Sequence, residues 1–153
     1  MQLLLDEGFP SPPGFDVSIV DGSVKAVALR DFDTALTSTR TPDWYLYLRA
    51  EQEGFDALVT HDRGQLRQAE ELRVISKTKL SLITWRKPLS DPIREWGQLL
   101  AYLPEIRRLL EQHGPSLVLL PAPRLNKQNL EKASDNLGIL AKDQGVCGWA
   151  HTE

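Results

Sequence analysis

The feature that most constrains the fold is a short apolar run at residues 55–62 that ends on polar side chains. Its sequence is Phe-Asp-Ala-Leu-Val-Thr-His-Asp. Short apolar runs bounded in this way are typical of buried strands. We interpret the run as a strand whose carboxyl end presents Thr60, His61 and Asp62 to a cleft. Open α/β sheets bind their ligands at this edge, so the run predicts both a fold class and the place of a site.

Two other acidic positions complete this pattern. Residues 2–5 form a second apolar run, too short for a helix, which is followed directly by Asp6 and Glu7. Asp43 opens the helical stretch that precedes the central run. If these segments are neighbours in a mainly parallel sheet, then Asp6, Asp43 and Asp62 meet at one edge. The sequence therefore predicts an α/β fold with three carboxylates at the carboxyl edge of its sheet.

The rest of the chain fits an alternation of strands and helices. Thr41 and Pro42 are typical of the cap and first residue of a helix, and Gly54 of its end. Asp91 is expected to cap a long amphipathic helix that Pro104 should kink or split. Strands are expected at residues 2–5, 55–60, 73–75, 80–85 and 117–120.

The connection after the first strand is unusual for this fold class. Residues 15–20 and 24–29 alternate in polarity around Asp-Gly-Ser, which predicts a hairpin. Three prolines between residues 8 and 14 forbid a regular helix there. A parallel crossover needs about a dozen residues or more, and this connection is shorter. The sequence therefore predicts that the usual first helix is missing.

Length and composition set the outer bounds. The chain has 153 residues, of which 41% are hydrophobic and 25% charged, which is typical of one globular domain. No apolar run approaches the roughly 20 residues of a membrane span, so no membrane partner is expected. The single cysteine, Cys147, excludes an internal disulfide, and a cytoplasmic location is expected. Residues 1–120 should form the domain, with residues 121–153 as a C-terminal extension, either a weak helix or a mobile tail.

Charge is distributed unevenly, although the net charge is only −3. Residues 1–62 contain 11 acidic and 4 basic side chains, a balance of −7. Residues 63–87 contain 7 basic and 2 acidic side chains, a balance of +5. Such asymmetry suits a site that holds cations with one half and phosphates with the other. The alternative is a solvated surface of uneven charge.

Three carboxylates at the water-filled edge of the sheet are suited to phosphodiester hydrolysis with a bound divalent ion. Mg²⁺ prefers hard oxygen ligands and is commonly held by one or two carboxylates together with substrate phosphates. Asp6 and Asp62 are the better ligand candidates because each follows a strand, and Asp43 would complete the pocket or act through a water. Taken singly, Asp43 could be a helix cap and Asp62 a turn residue. We interpret Thr60 and His61 as residues that line the substrate pocket.

Three short motifs resemble the PIN-like domains, which include the VapC-type toxin ribonucleases. They are the Leu-Leu-Leu-Asp-Glu of the first strand, the Thr-Pro-Asp-Trp that opens a helix, and Ala-Leu-Val-Thr-His-Asp-Arg. The resemblance covers roughly residues 1–120. It implies a three-layer α/β/α sandwich with a mainly parallel sheet, and an acid cluster that binds Mg²⁺ or Mn²⁺ for RNA cleavage.

By motif, this resemblance assigns catalysis and metal binding to Asp6, Asp43 and Asp62. Arg63 and Arg67 would contact RNA phosphates, which fix position without reading sequence. The chain departs from the family where Arg63-Gly64 stands in place of a further Asp, and Glu7 is a candidate auxiliary acid. A cognate antitoxin protein and a second copy of the chain are the further partners expected.

Two other functions fit parts of the same pattern. A PIN-like fold without catalysis would act as a binding module. A phosphoacceptor receiver domain also needs Asp-Glu after the first strand, an Asp after a later strand, and a Lys-Pro such as Lys87-Pro88. Lys87 follows Asp62 by only 25 residues, too few for two more strand–helix units, which argues against the receiver.

Overall fold

Five short strands form one sheet in the computed structural model, which describes residues 1–11, 16–37, 41–61, 69–87 and 91–121, with only the backbone of Glu70. The sheet order is β2-β1-β3-β4-β5, and every neighbouring pair is parallel. The predicted α/β class with a mainly parallel sheet is thereby confirmed. The strands are β1 (Gln2–Leu5), β2 (Lys25–Ala28), β3 (Ala57–Val59), β4 (Ser81–Trp85) and β5 (Leu117–Leu120).

The three inner strands are apolar because helices cover both of their faces. Every residue of β3 and β4 is buried, as are Leu3, Leu4 and Leu5 of β1. Such continuous apolar runs are typical of strands in parallel sheets. The edge strand β5 alternates instead, with Leu117 exposed and Val118 buried. The inner strands are therefore buried on both faces, whereas the edge strands are partly exposed.

In the described part of the chain, four α-helices accompany the sheet: α1 (Leu29–Phe32), α2 (Asp43–Gln52), α3 (Ala69–Ile75) and α4 (Pro92–His113). One core cluster joins residues of α4, such as Leu99 and Ile106, to Leu3, Leu5 and Ile83 of the sheet. A second cluster joins α1 and α2 to Leu4, Leu58 and Leu82, which point the other way. The helices thus lie on both faces, as the alternation of side chains along a strand requires.

The long helix α4 begins where the sequence predicts but is not split. Asp91 caps it by accepting hydrogen bonds from the backbone N–H groups of Ile93 (3.0 Å) and Arg94 (3.4 Å). Gly114, with φ at 71°, ends it. Pro104 lies inside the helix on its exposed side. Of the two effects predicted for Pro104, a kink or a split, the split is wrong, because tertiary packing of the buried face holds the turns on either side of it.

The predicted hairpin in residues 15–29 is also wrong. Val17–Ile19 form one turn of 3-10 helix, and only Lys25–Ala28 form a strand, which pairs parallel with β1. Asp16 accepts a hydrogen bond from the backbone N–H of Ser18, and Asp21 accepts two from Ser23. Such local side-chain bonds compete with strand pairing. Among the described residues of this connection no α-helix intervenes, as expected for a missing first helix.

Smaller differences concern element ends. Residues 73–75 end α3 and are not a strand. Thr41 does not cap α2: its hydroxyl donates to the carbonyl of Ala35 at 3.0 Å, Pro42 occupies the cap position, and Asp43 is the first helical residue. None of the described helices is long and apolar enough to cross a membrane. The predicted C-terminal extension from residue 122 onward lies outside the described residues.

Candidate active site

The carboxyl ends of β1 and β3 mark the point where the winding of the sheet reverses. From β1 the chain goes to β2 on one side, and it then returns past β1 to β3 on the other side. Crevices that bind ligands in open α/β sheets lie outside the carboxyl ends of the two strands that flank such a reversal. Asp6 follows β1 directly, and Thr60 follows β3. Both predicted site residues therefore stand at the reversal.

A direct hydrogen bond joins these two residues. The hydroxyl of Thr60 donates to Oδ2 of Asp6 at 2.5 Å, and the backbone N–H of Glu7 donates to Oδ1 at 2.8 Å. The backbone N–H of Asp6 in turn donates to the carbonyl of Val59 at 2.9 Å, which extends the pairing of the two strands by one residue. Thr60 is fully buried. The carboxylate of Asp6 is thereby held in one orientation, with lone pairs left on both oxygens.

Strand alternation sends neighbouring side chains to opposite faces. Leu4 and Leu58 belong to the cluster on the α2 face, so Asp6 and Thr60, two residues later, point to that face as well. Val59 belongs to the cluster on the α4 face, and His61 follows it there. Thr60 and His61, which were predicted to face one cleft, therefore lie on opposite faces of the sheet. Thr60 bonds to Asp6 on the α2 face, whereas His61 lies on the α4 face.

A cleft of about 200 Å³ opens beside Asp6. Glu7 lines it with Asp6, and the side chain of Arg30 reaches across to donate to the carbonyl of Ser11. Arg30 also lies 3.9 Å from Asp31. The cleft is smaller than the 300–1,000 Å³ typical of sites for whole small molecules, so it suits an ion or a single phosphate group. Its lining residues are Asp6, Glu7, Phe9, Ser11, Ala28, Leu29 and Arg30.

Asp43, the acid predicted at the start of a helix, begins α2 and is half-buried. The connection through α2 leads from the carboxyl end of β2 to the amino end of β3, so its start belongs to the same edge as Asp6. Among the described residues, no three His, Cys, Asp or Glu side chains form a group that could hold a metal. Asp62, Arg63 and Arg67 lie outside the described residues.

Oxygen donors at this edge nevertheless fit a hard divalent ion. Besides the Asp6 carboxylate, Thr84 is fully buried next to Thr60, because Val59 and Ile83 pair in register. Its hydroxyl has no hydrogen-bond partner among the residues that the structure describes. A buried orphan hydroxyl is commonly satisfied by a water or an ion. Hard oxygen atoms such as those of the Asp6 carboxylate are the ligands that Mg²⁺ and Mn²⁺ prefer.

His61 lies in an aromatic cluster on the α4 face. Its ring contacts Trp85 edge-to-face at 5.0 Å and Phe9 at 5.6 Å, measured between ring centroids. Its Nε2 lies 3.3 Å from Oε1 of Glu95, which is only 3% exposed. Burial lowers the pKa of His61, against an opposing effect of the Asp6 charge. Burial also raises the pKa of Glu95, and the charge of Asp91 adds to that rise.

Each of these pKa shifts is in the direction that favours the uncharged form of its side chain. Sequence reasoning missed Glu95. The available signal was its place beside Trp96 in the buried stripe of α4, where a charged residue is unexpected. Nothing in the sequence indicated which residue it would face. Arg30 was missed as well, because it directly follows residues 24–29, which the sequence assigned to the second strand of a hairpin.

The chain was compared with models of protein families, with curated proteins and with solved structures, and none of these comparisons yields a match.

Proposed function

We propose that this chain is a metal-dependent endoribonuclease with a PIN-like α/β/α fold. The observation that carries the proposal is the Asp6 carboxylate, which Thr60 and the N–H of Glu7 orient at the reversal of the sheet. A carboxylate held rigidly beside a small polar cleft is suited to a divalent ion and a phosphate group. The acidic first half and the basic stretch at residues 63–87 support the same chemistry.

Each residue then has a defined role. Asp6 and Asp62 would hold Mg²⁺ or Mn²⁺, with Asp43 completing the site directly or through a water. When bound, such an ion lowers the pKa of a water and offsets charge on the leaving oxygen. Thr60 keeps the Asp6 carboxylate from rotating, and Glu7 adds negative charge at the cleft. Arg63 and Arg67 would contact the RNA backbone and fix its position.

The biological setting that best fits this activity is that of a cytoplasmic toxin in a type II toxin–antitoxin pair. The partner would be a small antitoxin protein encoded beside it, and a second copy of the chain is a further candidate partner. A short reading frame directly upstream or downstream, whose product copurifies with this chain and suppresses its cleavage of RNA, supports this setting. A gene without such a neighbour argues for a nuclease that acts outside such a pair.

The activity itself is tested by metal dependence. We expect purified protein to cleave single-stranded RNA in Mn²⁺ or Mg²⁺, and excess chelator to abolish cleavage because carboxylates alone supply no activated water. Gel analysis of a labelled RNA measures the effect. Restoring Mn²⁺ after chelation is the matched control and should return full activity. Cleavage that persists in chelator contradicts the proposal, and stable RNA binding without cleavage favours the inactive binding module.

A phosphoacceptor receiver is the second candidate, and the strand order favours it. The order 2-1-3-4-5 with all strands parallel is one of the common doubly wound arrangements, and it includes receiver proteins. Against it, Lys87 follows β4, because in the described part of the chain only α3 and β4 lie between Asp62 and this lysine. We expect no stable phosphoryl group after incubation with acetyl phosphate and Mg²⁺. A mass gain of one phosphoryl group, lost in Asp62→Asn, would establish the receiver instead.

A further inference from the structure

Two aromatic side chains are exposed next to each other at the start of α2. Trp44 is 39% exposed and Tyr45 is 42% exposed, and both lie in the first turn of the helix. Tyr47, in the same helix, is fully buried. Single exposed hydrophobic side chains are ordinary, but adjacent aromatic rings with polar tips are typical of binding surfaces. The pair is therefore a candidate contact for a ligand.

The turn that carries the two rings is anchored. The ring centroids lie 6.0 Å apart with the planes at 89°, an edge-to-face contact that is favourable between aromatic side chains. The backbone N–H of Tyr45 donates to the carbonyl of Pro42 at 3.0 Å. Leu46 and Tyr47, the next residues of the helix, pack in the core cluster on the α2 face. Because the surface is already ordered, a flat ligand can bind it at little entropic cost.

The pair lies at the edge of the sheet that carries Asp6. α2 begins at this edge, because its connection leads from the carboxyl end of β2 to the amino end of β3. Both rings follow directly on Asp43, the acid that would complete the metal site. Neighbouring Cα atoms are about 3.8 Å apart, so both residues lie within about 8 Å of Asp43. A nucleotide whose phosphate lies at the metal site can therefore place its base, or that of its neighbour, on these rings.

The size of the aromatic surface decides between a base and a partner protein. Aromatic side chains offer about 150–250 Å² each, so two rings at about two-fifths exposure present no more than about 200 Å². A standard protein interface buries about 800 Å² on each partner. The large exposed aliphatic side chains of the described residues belong to other elements, such as Leu72 of α3 and Leu117 of β5. The two rings are too small a surface for a protein and suit one or two stacked bases.

We propose that Trp44 and Tyr45 form a stacking surface for unpaired nucleobases beside the scissile phosphate, so that the substrate is single-stranded RNA. This inference rests on the proposed function for the reaction, but the surface itself does not depend on cleavage. Every base has a π face, so stacking on aromatic side chains tolerates any sequence. Bases inside a duplex are stacked on one another and offer no free face. The surface therefore selects unpaired strands and not a particular sequence.

Fluorescence anisotropy of a labelled single-stranded oligothymidylate in Mg²⁺ tests the surface. This DNA offers base faces and phosphates but is not a ribonuclease substrate. We expect Trp44→Leu to weaken binding about tenfold, the order of magnitude for one stacked base. Trp44→Phe keeps a flat ring and should stay within about threefold of the unaltered protein. Tyr102→Leu is the matched control, because Tyr102 is 38% exposed on α4, and it should bind as the unaltered protein does.

A strand of the same length without bases separates stacking from phosphate contacts. We expect this abasic strand to bind the unaltered protein more weakly than oligothymidylate does, and a duplex to compete poorly with the labelled strand. Equal losses in Trp44→Leu and Trp44→Phe overturn the proposal, as does an abasic strand that binds as tightly as oligothymidylate. A dimer that Trp44→Leu converts to monomers in sedimentation also overturns it, because the rings would then serve a contact between proteins.

The two proposals fail separately. DNA binding is measured without cleavage, so a chain that cleaves no RNA still reports whether bases stack on the two rings. In the cleavage assay we expect Trp44→Leu to raise KM for RNA and leave kcat nearly unchanged, since the rings bind substrate without touching the reacting atoms. Cleavage of RNA with an unchanged KM would overturn only the stacking surface. Tyr45→Leu carries the same test if Trp44→Leu fails to fold by circular dichroism.

Discussion

Replacing Asp6 with Asn should reduce metal-dependent RNA cleavage by at least about 100-fold, because residues that only support a metal ligand already cost 10- to 100-fold when changed. The amide keeps the size of the side chain and can still accept the hydrogen bond from Thr60. It loses the negative charge that a divalent ion requires. The measurement is the initial rate of cleavage of a labelled RNA in Mn²⁺. Calorimetric titration of Mn²⁺ should show a matching loss of affinity.

Glu105→Gln is the matched control for this substitution. It removes the same single negative charge from an exposed position of α4. Its cleavage rate should stay within a factor of about two, because surface charges far from the site change little. We expect Asp62→Asn to lose activity as Asp6→Asn does. Unchanged cleavage in Asp6→Asn, with the fold intact by circular dichroism, would remove Asp6 from the catalytic assignment.

Trp85→Ala should lower the free energy of unfolding by about 3–5 kcal/mol, the usual cost of truncating a buried aromatic residue. Trp85 ends β4 and is 1% exposed. Its ring packs on Phe9 and His61, and its N–H donates to Gln98. Truncation opens a cavity and leaves the Gln98 carbonyl oxygen without its donor. Since domains are stable by only about 5–15 kcal/mol, the variant should be close to unfolding. Urea denaturation followed by circular dichroism measures the change.

Trp44→Ala provides the comparison for that loss. It makes the same chemical change at the start of α2, where the side chain is 39% exposed. We expect a cost of about 1 kcal/mol or less, since exposed side chains make few contacts to lose. A loss in Trp85→Ala no larger than that in Trp44→Ala would show that the aromatic cluster contributes nothing special to stability.

Much of the fold could be predicted because parallel strands carry a simple signal. The runs that became β1, β3 and β4 are almost wholly buried, β5 buries every second residue, and the apolar sequences of all four stand out from the helices between them. β2 was assigned to a hairpin because alternation around Asp-Gly also fits antiparallel pairing. Only long-range packing, which places Lys25–Ala28 beside β1, decides between the two. Pro104 likewise shows tertiary packing overriding local propensity.

The candidate site was predictable in part for a similar reason. A residue that directly follows a strand reaches the carboxyl edge through topology alone, so both Asp6 and Thr60 could be placed there from the sequence, whereas the hydrogen bond between them could not. The partner of His61 could not, because Glu95 lies 34 residues further along, and no spacing rule links a strand end to a helix that packs across the sheet. The unpaired hydroxyl of Thr84 could not be predicted from the sequence either, because both the strand register and the burial of the residue must be known first.

A crystal structure of the protein soaked in Mn²⁺, with the ion located by its anomalous scattering, tests the proposed metal site most directly. We expect one strong peak at the carboxyl edge, bonded to the Asp6 carboxylate and reached by Asp43 and Asp62 directly or through water. The hydroxyl of Thr60 should keep its bond to Asp6. Crystals whose cleft is open to solvent and whose Mn²⁺ binds only elsewhere would contradict a metal site at the reversal of the sheet.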